Sequence, residues 1–251
     1  MRLYVMCLGY CRVDRGKILT PGIGDGEEVL IPVPAYLIET GKERIVIDTG
    51  MHPVHIDDPK HTFRGHPLED AIVPQMTHED TIGHRLGEIG YSIDDVTCVI
   101  NSHLHFDHCG QNDAFAGRPI IVQRRHFEIA LEAPAFPNEY FERPELSYEM
   151  IDGELEIFPG VRCLITPGHA PFHQSFLVEL PQSGTKLLAI DAIYTRHNLE
   201  SDAWGSQADP VAARQSAHRL AEVAAAEGAE LIFGHDPGQW QTLRHAPQFY
   251  E

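Results

Sequence analysis

The chain has 251 residues, 43% hydrophobic and 22% charged, the balance of an ordinary globular protein able to bury a sizeable core. Its 37 acidic side chains outnumber 19 basic ones, for a formal net charge of −18. Phosphate backbones and anionic lipid surfaces are repelled by such a field, which argues against nucleic-acid and membrane partners.

Apolar, β-branched runs recur along the chain and predict strands at Leu3–Leu8, Ala35–Ile38, Arg44–Ile47, Thr97–Ile100 and Pro119–Val122. Further strands are predicted at Val161–Ile165, Gln174–Val178, Lys186–Ile190 and Glu230–Phe233. Between the early strands, the Pro- and Gly-containing stretch from His52 to Pro74 is a long connection of the kind that covers a binding site. Thr77 with Asp80 three residues on predicts a capped helix, with Ile82, Leu86 and Ile89 as its apolar stripe and Gly90 as its end. A short helix is predicted over Arg125–Leu131. Asp209 and Pro210 open a longer one whose Ala213, Ala217, Leu220 and Ala224 share a face, closed by Gly228. Strands outnumber helices, which suits one domain over residues 1–251 built as two mixed sheets with helices outside, an αββα sandwich.

The beginning of the chain lacks the apolar run and cleavage pattern of a secretory leader, and nothing approaches a membrane span of about 20 apolar residues. The five cysteines are scattered, with no C-x-x-C pair, and are expected to be reduced thiols in a cytoplasmic protein.

Directly after the strand ending at Ile100 comes Asn-Ser-His103-Leu-His105-Phe-Asp107-His108-Cys-Gly. On a tight loop, His103 and His105 can converge on one metal while Asp107 and His108 turn toward another. Imidazole and carboxylate donors suit zinc, although manganese, iron or cobalt could occupy the same ligands. Three more candidates stand just beyond apolar strands, where a shared sheet edge would gather them: His169, Asp191 and His235.

This motif, with Asp48-Thr49-Gly50 upstream, resembles the metallo-β-lactamase superfamily over essentially the whole chain. The resemblance implies an αββα fold. It also implies one zinc on His103, His105 and His169, a second on Asp107, His108 and His235, Asp191 bridging both, and Asp48 steadying the loop. His173, four residues after His169, is expected to buttress the site rather than bind metal.

Within the superfamily, the secreted β-lactamases carry a cysteine where Asp191 stands, glyoxalase II relatives add a basic helical region, and nuclease relatives bring positive surface. The stretches at 74–80, 102–108, 119–123, 166–173 and 190–195 instead resemble the N-acyl-homoserine lactonases, which quench quorum signals. In that family a tyrosine at the position of Tyr194 reaches the substrate carbonyl, and Phe106 would wall the lactone ring. The family's acyl-chain contacts correspond to Thr20–Pro34 and His52–Pro74, where the match is poor and Phe63 is expected to serve. The 4-pyridoxolactonases share Cys109-Gly110 after the motif and are the alternative; a thioesterase, a phosphodiesterase and a zinc-stabilised binding protein stand behind them.

The reaction expected from the resemblance is ring opening of a small lactone by a hydroxide held between two metals about 3.5–4 Å apart. Tyr194 would donate to the developing oxyanion and Asp107 would protonate the leaving alkoxide.

Overall fold

A computed structural model describes residues 1–251. The first sheet contains β1 (Arg2–Asp14), β2 (Glu28–Glu39), β3 (Arg44–Ile47), β4 (Ile72–Gln75), β5 (Cys98–Ile100), β6 (Pro119–Gln123) and β7 (Ser147–Ile151), in the order β4-β1-β2-β3-β5-β6-β7. The second contains β8 (Leu155–Phe158), β9 (Val161–Ile165), β10 (Gln174–Val178), β11 (Lys186–Ile190) and β12 (Glu230–Phe233), in the order β12-β11-β10-β9-β8.

Both sheets are mixed. In the first, β1, β2 and β3 pair antiparallel, whereas β3, β5, β6 and β7 run parallel. In the second, β9, β10 and β11 alternate direction and β12 runs parallel to β11. Strands β9, β11 and β12 therefore end on one edge, as do β3 and β5 of the other sheet. A backbone bond from Gln174 to the Ser102 carbonyl, 3.1 Å, ties the two edges together. Topology thus brings the residues that follow five strands to one rim.

The sandwich is held by alternation within each strand. Leu3, Val5, Tyr36, Ile38, Ile45, Ile47 and Ile100 point from the first sheet onto Val161, Cys163, Phe176, Val178, Leu188 and Ile232 of the second. Each fully buried aliphatic side chain contributes about 1.5–3 kcal/mol. The opposite face of the second sheet packs Leu177, Leu187 and Phe233 against Ala213, Ala217, Leu220 and Ala224 of the helix Pro210–Glu227. That helix starts and stops as its sequence demands: the Asp209 carboxylate accepts from Val211 and Ala212, and Gly228 ends it at φ +61°. Two sheets with helices on both outer faces form the αββα sandwich.

The predicted elements shift in places. Strand β1 runs on to Asp14 because a bulge between Cys7 and Tyr10, with Gly9 at φ +96°, lets the ladder resume after the apolar run ends. Strand β2 begins at Glu28, well before Ala35. Strands β4, β7 and β8 were not predicted: all three lie at the sheet edges, where polar residues and a proline such as Pro74 are tolerated and the alternating signal fades. Thr77 and Asp80 form their capping box on a one-turn 3₁₀ helix, His78–Asp80, and the α-helix proper is Ile82–Glu88. The helix predicted at Arg125–Leu131 is Arg124–Ala130.

Candidate metal centre

The rim between the sheets holds three histidines whose ring nitrogens meet. His103 Nε2 lies 3.0 Å from His105 Nδ1, His105 Nδ1 lies 2.8 Å from His169 Nε2, and the third edge of the triangle is 3.0 Å. A neutral imidazole nitrogen either donates or accepts along one direction, so no placement of protons satisfies all three edges. One cation facing three lone pairs does. Burial holds His103 and His105 well below the usual imidazole range, and lowers His169 as well, so all three stay neutral with lone pairs available.

A second group adjoins the first. Asp107, His108 and His235 bring Asp107 Oδ2 to 3.7 and 3.9 Å from the two Nε2 atoms. Asp191 stands between the groups and divides its carboxylate: Oδ1 lies 3.1 Å from His235 and 3.3 Å from His108, while Oδ2 lies 3.3 Å from His169. His108 Nε2 and Asp191 Oδ1 are buried without a hydrogen-bond partner. Two opposed buried polar atoms without protein partners are the donors that a bound cation would satisfy. Burial opposes charge on His108 and His235, but the surrounding carboxylates, Asp191 first, outweigh it and raise both. The field of this half favours positive charge, and the donor set, imidazole and carboxylate without thiolate, fits zinc.

Backbone strain aims these side chains. Asp48 sits at φ +59° and Ile190 at φ +50°, each at the end of its strand. Ile190 turns Asp191 into the site, and Gly234 makes room, since a Cβ there would meet the Ile190 carbonyl. Likewise a Cβ on Gly168 would strike the backbone of Ala213, so glycine lets the His169 loop lie on the long helix. Asp48 accepts from the Ser102 N–H at 2.7 Å, the Ser102 hydroxyl at 2.7 Å and His108 Nδ1 at 2.8 Å. Burial raises its carboxyl despite those bonds to His108 and Ser102. His173 packs against the cluster, its ring 5.0 Å from that of His103, but both its nitrogens are engaged: Nδ1 meets the Thr166 hydroxyl at 2.8 Å, and Nε2 accepts from the Asp191 N–H at 3.3 Å.

Other contacts had no signal in the sequence. His126 accepts the Leu104 N–H and bonds the Pro171 carbonyl, Gln207 Oε1 meets His169 Nδ1 at 3.0 Å, and Phe136 stacks on His105 at 4.8 Å. These residues lie far along the chain from the motif, so no spacing announces them; Ser102, adjacent to His103, was the one within sight.

The cluster forms the floor of a cavity of about 630 Å³ that reaches His105, Asp107, His169, Asp191 and His235. Tyr194 enters from one side, its hydroxyl 2.8 Å from His169 Nδ1. Burial, then Asp191 and Asp107, push that phenol well above its ordinary range, so its proton is retained. Phe106 and Phe63 meet edge to face, centroids 5.0 Å apart, and both line the cavity. Beyond them the walls are mainly aliphatic: Val13, Ile18, Leu19, Ile31, Leu68 and Ile72. The long connection from His52 to Pro74 supplies Phe63, Leu68 and Ile72 of that wall.

Residues 30–235 match the metallo-β-lactamase superfamily. An N-acyl homoserine lactonase of Bacillus thuringiensis is 42% identical over 99% of this chain and 98% of its own length. Among solved structures, an N-acyl homoserine lactone hydrolase with the product N-hexanoyl-L-homoserine bound at its catalytic metal centre superposes at TM-score 0.92, with 41% identity over 99% of this chain and 98% of that one. A mutant of B. thuringiensis AiiA with N-decanoyl-L-homoserine at its active site superposes at 0.93, with 40% identity and the same coverage of both chains. The chain therefore belongs to the metallo-β-lactamase superfamily, and within it to the N-acyl-homoserine lactonase family.

Proposed function

We propose that this chain is a two-zinc enzyme that opens the lactone ring of N-acyl-homoserine lactones, acting as one domain in the cytoplasm. The observation that carries the reading is Asp191, whose two oxygens face two separate ligand groups on the floor of a largely apolar cavity. Its relatives are lactonases, and two of their structures hold acyl-homoserine products. No helix is long and apolar enough to cross a membrane.

His103, His105 and His169 would hold one zinc, Asp107, His108 and His235 the other, with Asp191 shared. When bound, the two ions supply Lewis acidity and a water acidified toward neutrality. The protein does the rest. The aliphatic walls and Phe63 take the acyl chain, and Phe106, edge to face with Phe63, walls the ring. Tyr194, kept protonated by its surroundings, donates its O–H to the ester carbonyl oxygen as negative charge develops there. Water adds to the acyl carbon, the ring C–O bond breaks, and the departing oxygen keeps the electron pair. Asp107, at the cavity floor, is placed to return a proton to that oxygen. The product is a ring-opened hydroxy acid, released as carboxylate and a proton, with no covalent enzyme intermediate.

His105→Ala tests the reading. It should lose metal and nearly all ring-opening activity together; full activity in a metal-depleted variant would contradict it.

A further inference from the structure

Gln207 lies on the loop before the long helix, 6% exposed, and was not among the residues the sequence singled out. Its Oε1 stands 3.0 Å from His169 Nδ1, the nitrogen on the far side of the ring from the cluster. Its buried amide nitrogen has no well-formed partner, and the oxygen's bond to His169 Nδ1 is the side chain's one well-formed hydrogen bond. The loop on either side is fixed: the Gln207 N–H donates to the Trp204 carbonyl at 3.1 Å, and the Asp209 N–H to the Gly168 carbonyl at 2.8 Å. Gln207 and His169 are thus tied through backbone as well as side chain.

A carboxamide oxygen only accepts. Facing it, Nδ1 must carry the imidazole proton, and Nε2 must present its lone pair to the point where His103 and His105 converge. The second neighbour of Nδ1 is the Tyr194 oxygen at 2.8 Å. Against a protonated Nδ1 that oxygen can only accept, which turns the phenolic O–H away from His169 and into the cavity. Were Nδ1 unprotonated, the phenol would donate to it instead, and both the metal lone pair and the substrate donor would be lost at once.

We infer that Gln207 is a positioning residue for the reaction: it sets the His169 tautomer, thereby securing metal at the three-histidine group and releasing the Tyr194 O–H for substrate. The inference rests on the reading of this cluster as a metal centre.

The test is zinc competition with a chelating dye on purified wild type, Gln207→Leu and Gln207→Glu, with melting curves of the metal-free proteins beside it. Leucine should weaken one of the two zinc equivalents by about 10–100-fold, the usual effect of removing the partner of a ligating histidine, while the metal-free protein melts as wild type does. Glutamate, which accepts the same proton, should restore zinc affinity. Two equivalents held by Gln207→Leu as tightly as by wild type would overturn the inference alone. So would equal weakening by leucine and glutamate, the mark of a packing role. Absence of tight zinc binding by wild type would overturn the metal-centre reading itself.

Discussion

His126 accepts the Leu104 N–H on its Nε2 at 2.9 Å, and its Nδ1 donates to the Pro171 carbonyl at 2.6 Å. Leu104 stands between His103 and His105, and Pro171 two residues past His169, so one fully buried ring clamps the two loops that make the three-histidine group. His126→Phe keeps the ring's bulk but leaves a buried N–H and a buried C=O without partners. It should destabilise the protein by about 3 kcal/mol, from about 1–3 kcal/mol for each group. Urea unfolding of the metal-free protein measures this; a loss below about 1 kcal/mol would mean that water or a loop shift satisfies both groups.

The same ring predicts acid sensitivity. Burial lowers His126 from the ordinary 6.5 to about 4, and lowers His55 to about 4 as well. Between those values each ring binds more protons in the unfolded chain than in the folded one, so what these two rings contribute to stability is full above pH 6.5 and declines as pH falls toward 4. Unfolding midpoints of the metal-free protein should therefore drop across this window. His126→Phe, lacking one of these buried rings, should show a shallower slope. Parallel slopes for variant and wild type would show that His126 is protonated in the folded state.

Tyr194 makes its contact through one hydroxyl while its ring stays packed, so Tyr194→Phe isolates the donor. Turnover should fall by about 10²-fold, as for other single oxyanion donors, with both zinc equivalents retained. Unchanged turnover with intact zinc would make Tyr194 a packing residue.

Asp48 holds His108 from behind, and its carboxylate takes three hydrogen bonds at 2.7–2.8 Å. Asn tolerates the positive φ, so Asp48→Asn preserves the turn and removes the charge. Zinc affinity at the Asp107–His108–His235 group should fall by about 10–100-fold, read as metal content after dialysis against a chelator. Full content would show that His108 needs no anionic partner.

Much of the fold and site was legible because chemistry and topology coincide in the chain. His103, His105, Asp107 and His108 fall within one short loop, and His169, Asp191 and His235 each follow a buried strand, the one place where a sheet edge can gather distant residues. What escaped is what no local pattern encodes. Strands β7 and β8 are half-wet edges, β1 is prolonged by a bulge at Gly9, and His126 and Gln207 act through contacts 22 and 38 residues away in sequence. A histidine among arginines and a glutamine before Ala-Asp-Pro look like surface residues until the fold closes over them.

The most direct test of the account is ring opening by the zinc-loaded protein, followed by acid release, across a panel. The panel holds short- and long-chain N-acyl-homoserine lactones, 4-pyridoxolactone, a simple γ-lactone, a glutathione thioester and a phosphodiester. Acyl-homoserine lactones should be opened fastest, at a rate that depends on chain length because of the aliphatic walls, and metal removal should abolish it. A preference for the thioester or the phosphodiester, with acyl-homoserine lactones left intact, would contradict the proposed function.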